Sequence, residues 1–107
     1  MASIVIAQTT VNDEGKAYEI GRAAVEARLT AGVHIEARMT TFYWAKGAVQ
    51  HEREYRLSFQ TTTEKVAALK TRVLEQHPHD VPQWIVVPVV EASEEYLAWA
   101  VKETTAG

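Results

Sequence analysis

Hydrophobic and polar positions follow a different period in each stretch of the chain, and the first two stretches predict a strand and a helix. Residues 3–9 are β-prone and nearly continuous in apolar content, which is typical of a short strand buried on both faces. Behind Asn12, a candidate N-cap, small apolar residues recur at helical spacing over residues 13–30, and Gly32 follows as a terminator. We expect the strand at the centre of a sheet, with the helix packed closely on it.

Two alternating runs follow, over residues 33–44 and residues 49–59, and they predict a long hairpin. A two-residue loop would set apolar Ile35 against polar Ser58. A three-residue loop over residues 45–47, with its glycine in the left-handed conformation as a bulge, sets apolar residues against each other. The pairs predicted by this register are Val33 with Phe59, Ile35 with Leu57 and Ala37 with Tyr55.

A second helix and an edge strand are predicted in the last third of the chain. The spacing Thr61-x-x-Glu64 is that of a capping box, so the helix is expected to begin there and to end near Pro78. Residues 84–90 are densely apolar, but Pro88 lacks the N–H that a central strand donates. This strand is therefore predicted at the edge of the sheet.

The order of the elements predicts the fold class. A short last helix begins after Ser93, so the predicted order is strand, helix, strand, strand, helix, strand, helix. This is the α+β arrangement βαββαβ, an antiparallel sheet with two helices on one face, followed by a C-terminal helix. No linker or repeat interrupts it, so we assign residues 1–107 to a single domain.

The predicted hairpin is long for a chain of this size. A strand of ~12 residues at ~3.3 Å per residue reaches ~40 Å, whereas a domain of ~100 residues has a radius of gyration of ~13 Å. The projecting edge would carry Phe42, Tyr43, Trp44 and Tyr55. Such an edge is an aggregation hazard in a monomer and a self-association surface in an oligomer, so the pattern predicts a homo-oligomer.

Composition and charge narrow the classes of function. The 107 residues carry a net charge of -3, without the clustered Lys and Arg that a phosphate backbone attracts, so nucleic acid is not an expected partner. The chain has no cysteine, which excludes a disulfide, a thiolate metal site and a cysteine nucleophile. Since neither a signal peptide nor an apolar run of ~18 residues is found, we expect no membrane partner and a cytoplasmic protein.

Several strings along the chain resemble the CutA divalent-cation-tolerance family. They are residues 19–26 (EIGRAAVE), residues 29–35 (LTAGVHI), Tyr43, Lys46-Gly47, His77-Pro78 and Tyr96-Leu97-x-Trp99. The resemblance spans nearly the whole chain and agrees with the predicted order of elements. It implies a homotrimer of ferredoxin-like subunits, similar in architecture to the PII nitrogen-regulatory proteins. It also implies a non-enzymatic part in tolerance or binding of divalent metal, copper in particular, or in related signalling.

The chain departs from the family pattern where the family would carry chemistry. Gly32, His34 and Gln60 stand where the family usually has Cys, Asn and Lys. Further departures are Ala45 in place of Trp, His79-Asp80 in place of Tyr-Glu, and Gln83 in place of Glu. A metal–thiolate idea cannot apply to this chain, and a polar pocket between subunits would carry less charge.

A short loop after the second predicted helix holds the best candidate for a metal site. His77, His79 and Asp80 place two imidazoles and a carboxylate within four residues, donors that suit Cu²⁺, Zn²⁺ or Ni²⁺. His34 supplies a further donor if the second strand passes the loop in the trimer. In the alternative interpretation, His77 caps the helix while His79 and Asp80 are solvated loop residues.

Aromatic and amide side chains are candidates for a ligand pocket between subunits. The residues assigned to it are Tyr43, Gln60, Gln83 and Trp84. Aromatic rings also fill the core and the interfaces of small oligomers, which is the competing interpretation. A non-enzymatic small-molecule-binding module with intersubunit pockets, similar to the PII proteins, is therefore the alternative function.

A third hypothesis is an enzyme of the dimeric α+β barrel type, which only a dimer would support. Glu52 and Glu54 lie on one face of a predicted strand, ~7 Å apart, as a general acid and base can. Arg53 and Arg56 lie next to them and favour a solvated ladder of charges instead. We therefore predict no catalytic residue and no enzymatic activity.

Overall fold

A computed structural model describes residues 3–105 of the chain. Its strands and helices follow one another in the predicted order, with one short 3₁₀ turn over Thr63–Lys65. The elements are β1 (Ile4–Val11), α1 (Glu14–Glu26), β2 (Gly32–Ala45), β3 (Ala48–Thr62), α2 (Val66–Gln76), β4 (Ile85–Pro88) and α3 (Glu94–Thr104). The predicted α+β ferredoxin-like fold, βαββαβ with a C-terminal helix, is confirmed.

The four strands form one sheet in the order β2-β3-β1-β4, with every neighbouring pair antiparallel. β1 lies between β3 and β4, so its prediction as a central strand is confirmed. β4 pairs only with β1 among the described strands, and all four of its residues are exposed. The predicted edge strand is therefore correct, although it is shorter than residues 84–90.

The main core lies between the sheet and the two helices α1 and α2. Its buried members are Ala7, Val11, Ala17, Ile20, Ala24, Leu57, Phe59, Leu69 and Val73. α1 approaches the sheet closely because its inner stripe is small: a methyl group on Gly21 would lie only 3.2 Å from Val33 Cγ1. This close contact explains why three of the four buried residues of α1, Ala17, Gly21 and Ala24, are small.

α1 is shorter than the predicted helix at both ends. Asp13, not Asn12, is its N-cap, and Asp13 Oδ1 accepts the Lys16 N–H at 2.8 Å. The helix ends at Glu26 because Arg28 takes a left-handed φ of 59°. Thr30 instead lies in the buried turn that leads into β2, where its hydroxyl donates to the Gln60 carbonyl at 2.7 Å.

The predicted capping box at the start of the second helix is wrong. Thr61 belongs to β3, and its hydroxyl donates to the Leu29 carbonyl at 2.7 Å rather than capping a helix. A 3₁₀ turn with no side-chain cap follows, and α2 begins only at Val66. The tertiary contact with the α1–β2 turn therefore outweighs the local capping pattern. The end of α2 at Gln76 agrees with the prediction.

α3 closes the far end of the sheet. Ser93 is its N-cap, since the Ser93 hydroxyl accepts the Tyr96 N–H at 3.2 Å. Ala100 is buried against Ile4 and Ala31 in a second, smaller apolar cluster. No helix within residues 3–105 is long and apolar enough to cross a membrane.

The hairpin turn differs from the predicted three-residue loop. Ala45 pairs with Ala48, so the turn consists of Lys46 and Gly47. Both residues have a positive φ, 53° and 74°, as a type I′ turn requires. The prediction of a loop over residues 45–47 is therefore wrong.

The extra residue that was predicted in the turn lies instead in a β-bulge in the middle of β2. This bulge gives the base of the hairpin its predicted register. The predicted pairs Val33 with Phe59 and Ile35 with Leu57 are found at the base of the hairpin. The register then shifts between Glu36 and Met39, where Ala37 and Arg38 lie opposite the single residue Tyr55. Arg38 has a φ of 57°, so the left-handed residue of the bulge is Arg38 and not Gly47. The predicted Ala37–Tyr55 pair is replaced by this bulge.

Beyond the bulge the hairpin projects from the rest of the molecule, as predicted. β2 has 14 residues and β3 has 15, and the molecule measures 46 × 26 × 22 Å along its principal axes. Phe42 and Trp44 near the turn are 72% and 76% exposed. The hairpin tip, defined here as residues 40–51, therefore has no core of its own within the described residues.

Candidate functional site

The bulge decides which face of the hairpin carries the candidate site. Side chains alternate between the two faces of a strand, so an unbroken β2 would place Tyr43 on the same face as Val33 and Ile35. Beyond the bulge the pairs are instead Met39 with Glu54, Thr41 with Glu52 and Tyr43 with Gln50. Tyr43 therefore lies on the open face of the sheet, beside the even-numbered residues of β3, and not on the helix face that the alternation predicted.

A groove on this face, called the acidic groove here, has a volume of about 570 Å³. Three parts of the chain line it: the end of β1, the hairpin and the α2–β4 loop. The lining residues that carry chemistry are Tyr43, Glu52, Glu54, His79, Asp80 and Gln83. Two predicted metal ligands and two predicted pocket residues thus share one groove.

Glu52 is held in the groove by two hydrogen bonds. The Asn12 side-chain amide and the Tyr43 hydroxyl each donate to it, both at 3.2 Å. Partial burial of the Tyr43 phenol raises its pKa above the usual value, and the hydrogen bond to Glu52 and the charges of Glu52 and Glu54 raise it further. The electrostatic potential at Tyr43 is therefore negative, because the carboxylates of Glu52 and Glu54 lie near it.

Glu54 is the residue whose exposure was predicted wrongly from the sequence. It is only 7% exposed, although it was expected in a solvated ladder of charges. Arg56 forms its ion pair with Glu36, at 3.6 Å, and not with Glu54. Within residues 3–105, Glu54 has no side-chain hydrogen bond and no ion pair. Its carboxylate lines the acidic groove and adds a third negative charge there, beside those of Glu52 and Asp80.

His77 fixes the α2–β4 loop against β1. Its Nε2 donates to the Thr10 carbonyl at 2.9 Å, and its Nδ1 accepts the His79 N–H at 3.1 Å. The two imidazole rings meet edge to face at 4.8 Å. Burial lowers the pKa of His77 below its usual value; the Thr10 carbonyl and the charge of Glu54 oppose this shift, while His79 adds to it. His77 is therefore a neutral ring that orders the loop near neutral pH.

The four predicted metal ligands do not come together within one copy of the chain. His79 and Asp80 line the acidic groove, but both ring nitrogens of His77 are engaged by backbone groups. His34 Nδ1 lies 3.3 Å from Gln60 Nε2, in a different cavity. Among residues 3–105, no three side chains of His, Asp or Glu are placed to hold a metal ion. The backbone contacts of His77 are the physical reason.

The predicted ligand-pocket residues are also divided. Tyr43 and Gln83 line the acidic groove, whereas Gln60 lines a second cavity. Trp84 is half-buried and packs against the main core. The second cavity, called the α3 cavity here, has a volume of about 440 Å³ and lies between β1, the end of β3 and the start of α3. His34 lines it beside Gln60.

Three departures from the family pattern meet beside the α3 cavity. A methyl group on Gly32 would lie 3.5 Å from Gln60 Oε1, and Gln60 Nε2 lies 3.3 Å from His34 Nδ1. The sequence identified these three positions separately, but it gave no sign that they are neighbours. The pairing of β2 with β3 brings them together, since Gly32 lies opposite Gln60.

The fold and the groove together define a small ferredoxin-like domain with an acidic groove on the open face of its sheet. The sequence pattern of the CutA1 divalent ion tolerance protein family matches residues 5–103. The divalent-cation tolerance protein CutA of Thermus thermophilus is 39% identical over 95 residues, which cover 89% of this chain and 92% of that protein. The chain belongs to the CutA1 divalent ion tolerance family, as the resemblance implied.

Solved structures of relatives have the same fold. CutA from Synechococcus elongatus matches with a TM-score of 0.93 at 33% identity, over 98% of this chain and 93% of that chain. The periplasmic divalent cation tolerance protein CutA from Archaeoglobus fulgidus matches with a TM-score of 0.90 at 23% identity, over 98% of this chain and 100% of that chain. Since that structure is described as periplasmic, a cytoplasmic location stays a prediction for this chain.

Proposed function

We propose that this chain acts in divalent-cation tolerance as a non-enzymatic homotrimer whose acidic groove binds a divalent cation, Cu²⁺ first among the candidates. The observation that carries the proposal is Glu54, a carboxylate that is 7% exposed and has no partner within residues 3–105. Glu54 shares the groove with Glu52 and Asp80, and the lining contains neither Lys nor Arg. A bound cation relieves the repulsion between these like charges.

Other groups in the groove favour a divalent metal over a simple monovalent ion. The His79 imidazole and the carboxylates of Asp80 and Glu52 line the same space as Glu54. Imidazole and carboxylate donors suit Cu²⁺, Zn²⁺ and Ni²⁺. Because no three of these side chains are placed to hold a metal within the described part of one subunit, water or a group from a second copy completes the coordination in this proposal.

The surface of the subunit supports assembly. Large apolar side chains are exposed on the hairpin tip, and β4 presents an unpaired edge along Ile85–Pro88. Projecting apolar hairpins and open edges are the features that a second copy covers in oligomers. The number of three subunits rests on the resemblance to the family.

The test is a calorimetric titration of the purified full chain with Cu²⁺, Zn²⁺ and Ni²⁺, with its mass measured by light scattering on the same sample. We expect a trimer that binds at least one of the metals saturably, with one ion per subunit or one per trimer. Glu54→Gln removes the buried charge with little change in shape. It is expected to weaken binding about 10- to 100-fold.

Glu64→Gln is the matched control, because Glu64 is an exposed carboxylate in the 3₁₀ turn, outside the groove. It is expected to bind metal as the unchanged protein does. Equal affinities for the unchanged protein and Glu54→Gln would overturn the assignment to the groove. A trimer that binds none of the three metals would overturn the cation role itself, and a monomer or dimer would overturn the assembly.

A further inference from the structure

The α3 cavity is separate from the acidic groove and has a different chemistry. Its volume of about 440 Å³ lies in the range of small-molecule sites. Ile4, Ile6 and Val89 supply aliphatic walls, and the Tyr96 ring lines the side formed by α3. A site with this lining accommodates an apolar body and leaves orientation to a few polar groups.

Gln60 provides an unused hydrogen-bond acceptor at this cavity. The side chain is 7% exposed, and its Nε2 donates to the Ser58 carbonyl at 2.9 Å. A carbonyl can only accept, so this bond fixes the orientation of the amide and identifies the other atom as Oε1. Within the described residues no donor reaches Oε1. A methyl group on Gly32 would lie 3.5 Å from it, so the absence of a side chain there leaves room beside the acceptor.

His34 fixes the orientation of the Gln60 amide from a second side. Gln60 Nε2 lies 3.3 Å from His34 Nδ1, and an amide nitrogen can only donate. His34 Nδ1 therefore accepts, and the Gln60 amide is held on a second side with Oε1 left as its free acceptor. Both side chains line the cavity.

The charge of the lining excludes one class of ligand. Glu91 is the one carboxylate among the lining residues, and the lining contains neither Lys nor Arg. An anionic ligand would meet a like charge without a compensating cation, which is unfavourable. Glu91 is exposed, so water solvates its charge and no cation is required. The cavity therefore suits an uncharged molecule.

We propose that the α3 cavity is a second binding site, for a small, uncharged, planar heterocycle that carries an N–H. The N–H donates to Gln60 Oε1, and the ring packs between the aliphatic walls and Tyr96. This site goes beyond the proposed cation function and does not depend on it.

The test uses 2-quinolone, a flat bicyclic lactam, as the probe, titrated into the full chain by calorimetry. N-methyl-2-quinolone keeps the shape but lacks the N–H, and 2-naphthoate keeps the flat apolar body but carries a negative charge. We expect saturable binding of 2-quinolone and a loss of about tenfold or more for each of the other two. Absence of saturable 2-quinolone binding, or equal binding of all three probes, would overturn the proposal.

Two variants locate the probe. Gln60→Met removes the hydrogen-bonding atoms at nearly constant shape, and Gly32→Ala fills the space beside Oε1 while Gln60 stays in place. Both are expected to lower the affinity for 2-quinolone about tenfold. Gly32→Ala keeps the test valid if Gln60→Met fails to fold, since the added methyl group makes only ordinary contacts.

Gln83→Met is the control, because Gln83 lines the acidic groove and not the α3 cavity. It is expected to bind 2-quinolone unchanged. If Gln83→Met loses the probe and the two α3-cavity variants keep it, the probe occupies the acidic groove and the proposal is wrong. Metal titration of Gly32→Ala is expected to match that of the unchanged protein, which separates this site from the proposed cation site.

Discussion

The two halves of the β2–β3 hairpin have similar composition and opposite surroundings. At the base, Leu57 and Phe59 are completely buried beneath α1 and α2. At the tip, Phe42 and Trp44 are 72% and 76% exposed, and the ring centroids of Phe42 and His51 lie 5.9 Å apart across the strand pair. The base is stabilised by the chain's own core, whereas the tip has apolar side chains that only a neighbouring molecule could cover.

The largest effect is expected at the base. Phe59→Ala removes a fully buried ring from the main core and should lower the free energy of unfolding by about 3 to 5 kcal/mol. Urea denaturation at fixed protein concentration measures this change. A loss below about 1 kcal/mol would contradict the packing described for the base.

A smaller effect, on assembly and not on the fold of the subunit, is expected at the tip. In the proposed homotrimer, Trp44→Ala should weaken association by about 2 kcal/mol, so that light scattering detects dissociation at a higher protein concentration. Tyr18→Ala on α1 is the matched control, because Tyr18 is also an exposed aromatic residue but lies away from the hairpin. Equal shifts for the two variants would remove the distinction between the tip and the rest of the surface.

The pH dependence of stability sharpens the comparison at the α2–β4 loop, which His77 ties to the end of β1. Burial lowers the pKa of His77 in the folded protein, so the unfolded chain binds its proton more readily. The contribution of His77 is complete above the unfolded pKa of about 6.5 and is lost as the pH falls towards the folded value.

Melting curves of the metal-free protein between about pH 7.5 and pH 5.5 test this dependence. The unchanged protein should lose stability towards acid, and His77→Gln should flatten the slope. His51→Gln, on the exposed hairpin tip, should leave the slope unchanged. A slope that survives His77→Gln would show that the acid sensitivity originates elsewhere.

The smallest effect is expected at the boundary between the two halves. Arg38 has a φ of 57°, a conformation that a side chain disfavours and glycine does not. Arg38→Gly should therefore leave the free energy of unfolding unchanged or raise it by up to about 1 kcal/mol. Arg53→Gly, in the facing strand, should lower it by about 0.5 to 1 kcal/mol. The opposite order in urea denaturation would contradict the bulge.

The base of the hairpin was predictable because local patterns and tertiary packing agree there. Val33 and Ile35 alternate with polar neighbours. Matching apolar residues across the two strands was enough to predict their partners, Phe59 and Leu57. The turn was not predictable in the same way. The pattern requires one extra residue in one strand of the hairpin, and Gly47 is the position that local rules favour, because glycine adopts a positive φ most easily. In the structure it is Arg38 that takes the strained conformation, at the bulge.

The sequence predicted which residues could form a candidate site but not which of them lie close together. His79, Asp80, Tyr43 and Gln83 were singled out for two different sites, and the structure places all four in one groove. Glu54 was missed because its neighbours Arg53 and Arg56 indicated a solvated strand. Burial of Glu54 follows from the α2–β4 loop and the end of β1, which lie far from it in sequence and leave no trace in the local pattern.

The bulge also determines how the length of the chain can vary. Because Ala37 and Arg38 share one partner, deletion of Arg38 would leave every cross-strand pair on both sides of it unchanged, including Glu36 with Arg56 and Met39 with Glu54. The two-residue turn would keep its position, and Tyr43 would stay beside the carboxylates of β3. β2 therefore contains a position where deletion of a single codon shortens the gene product without altering the groove.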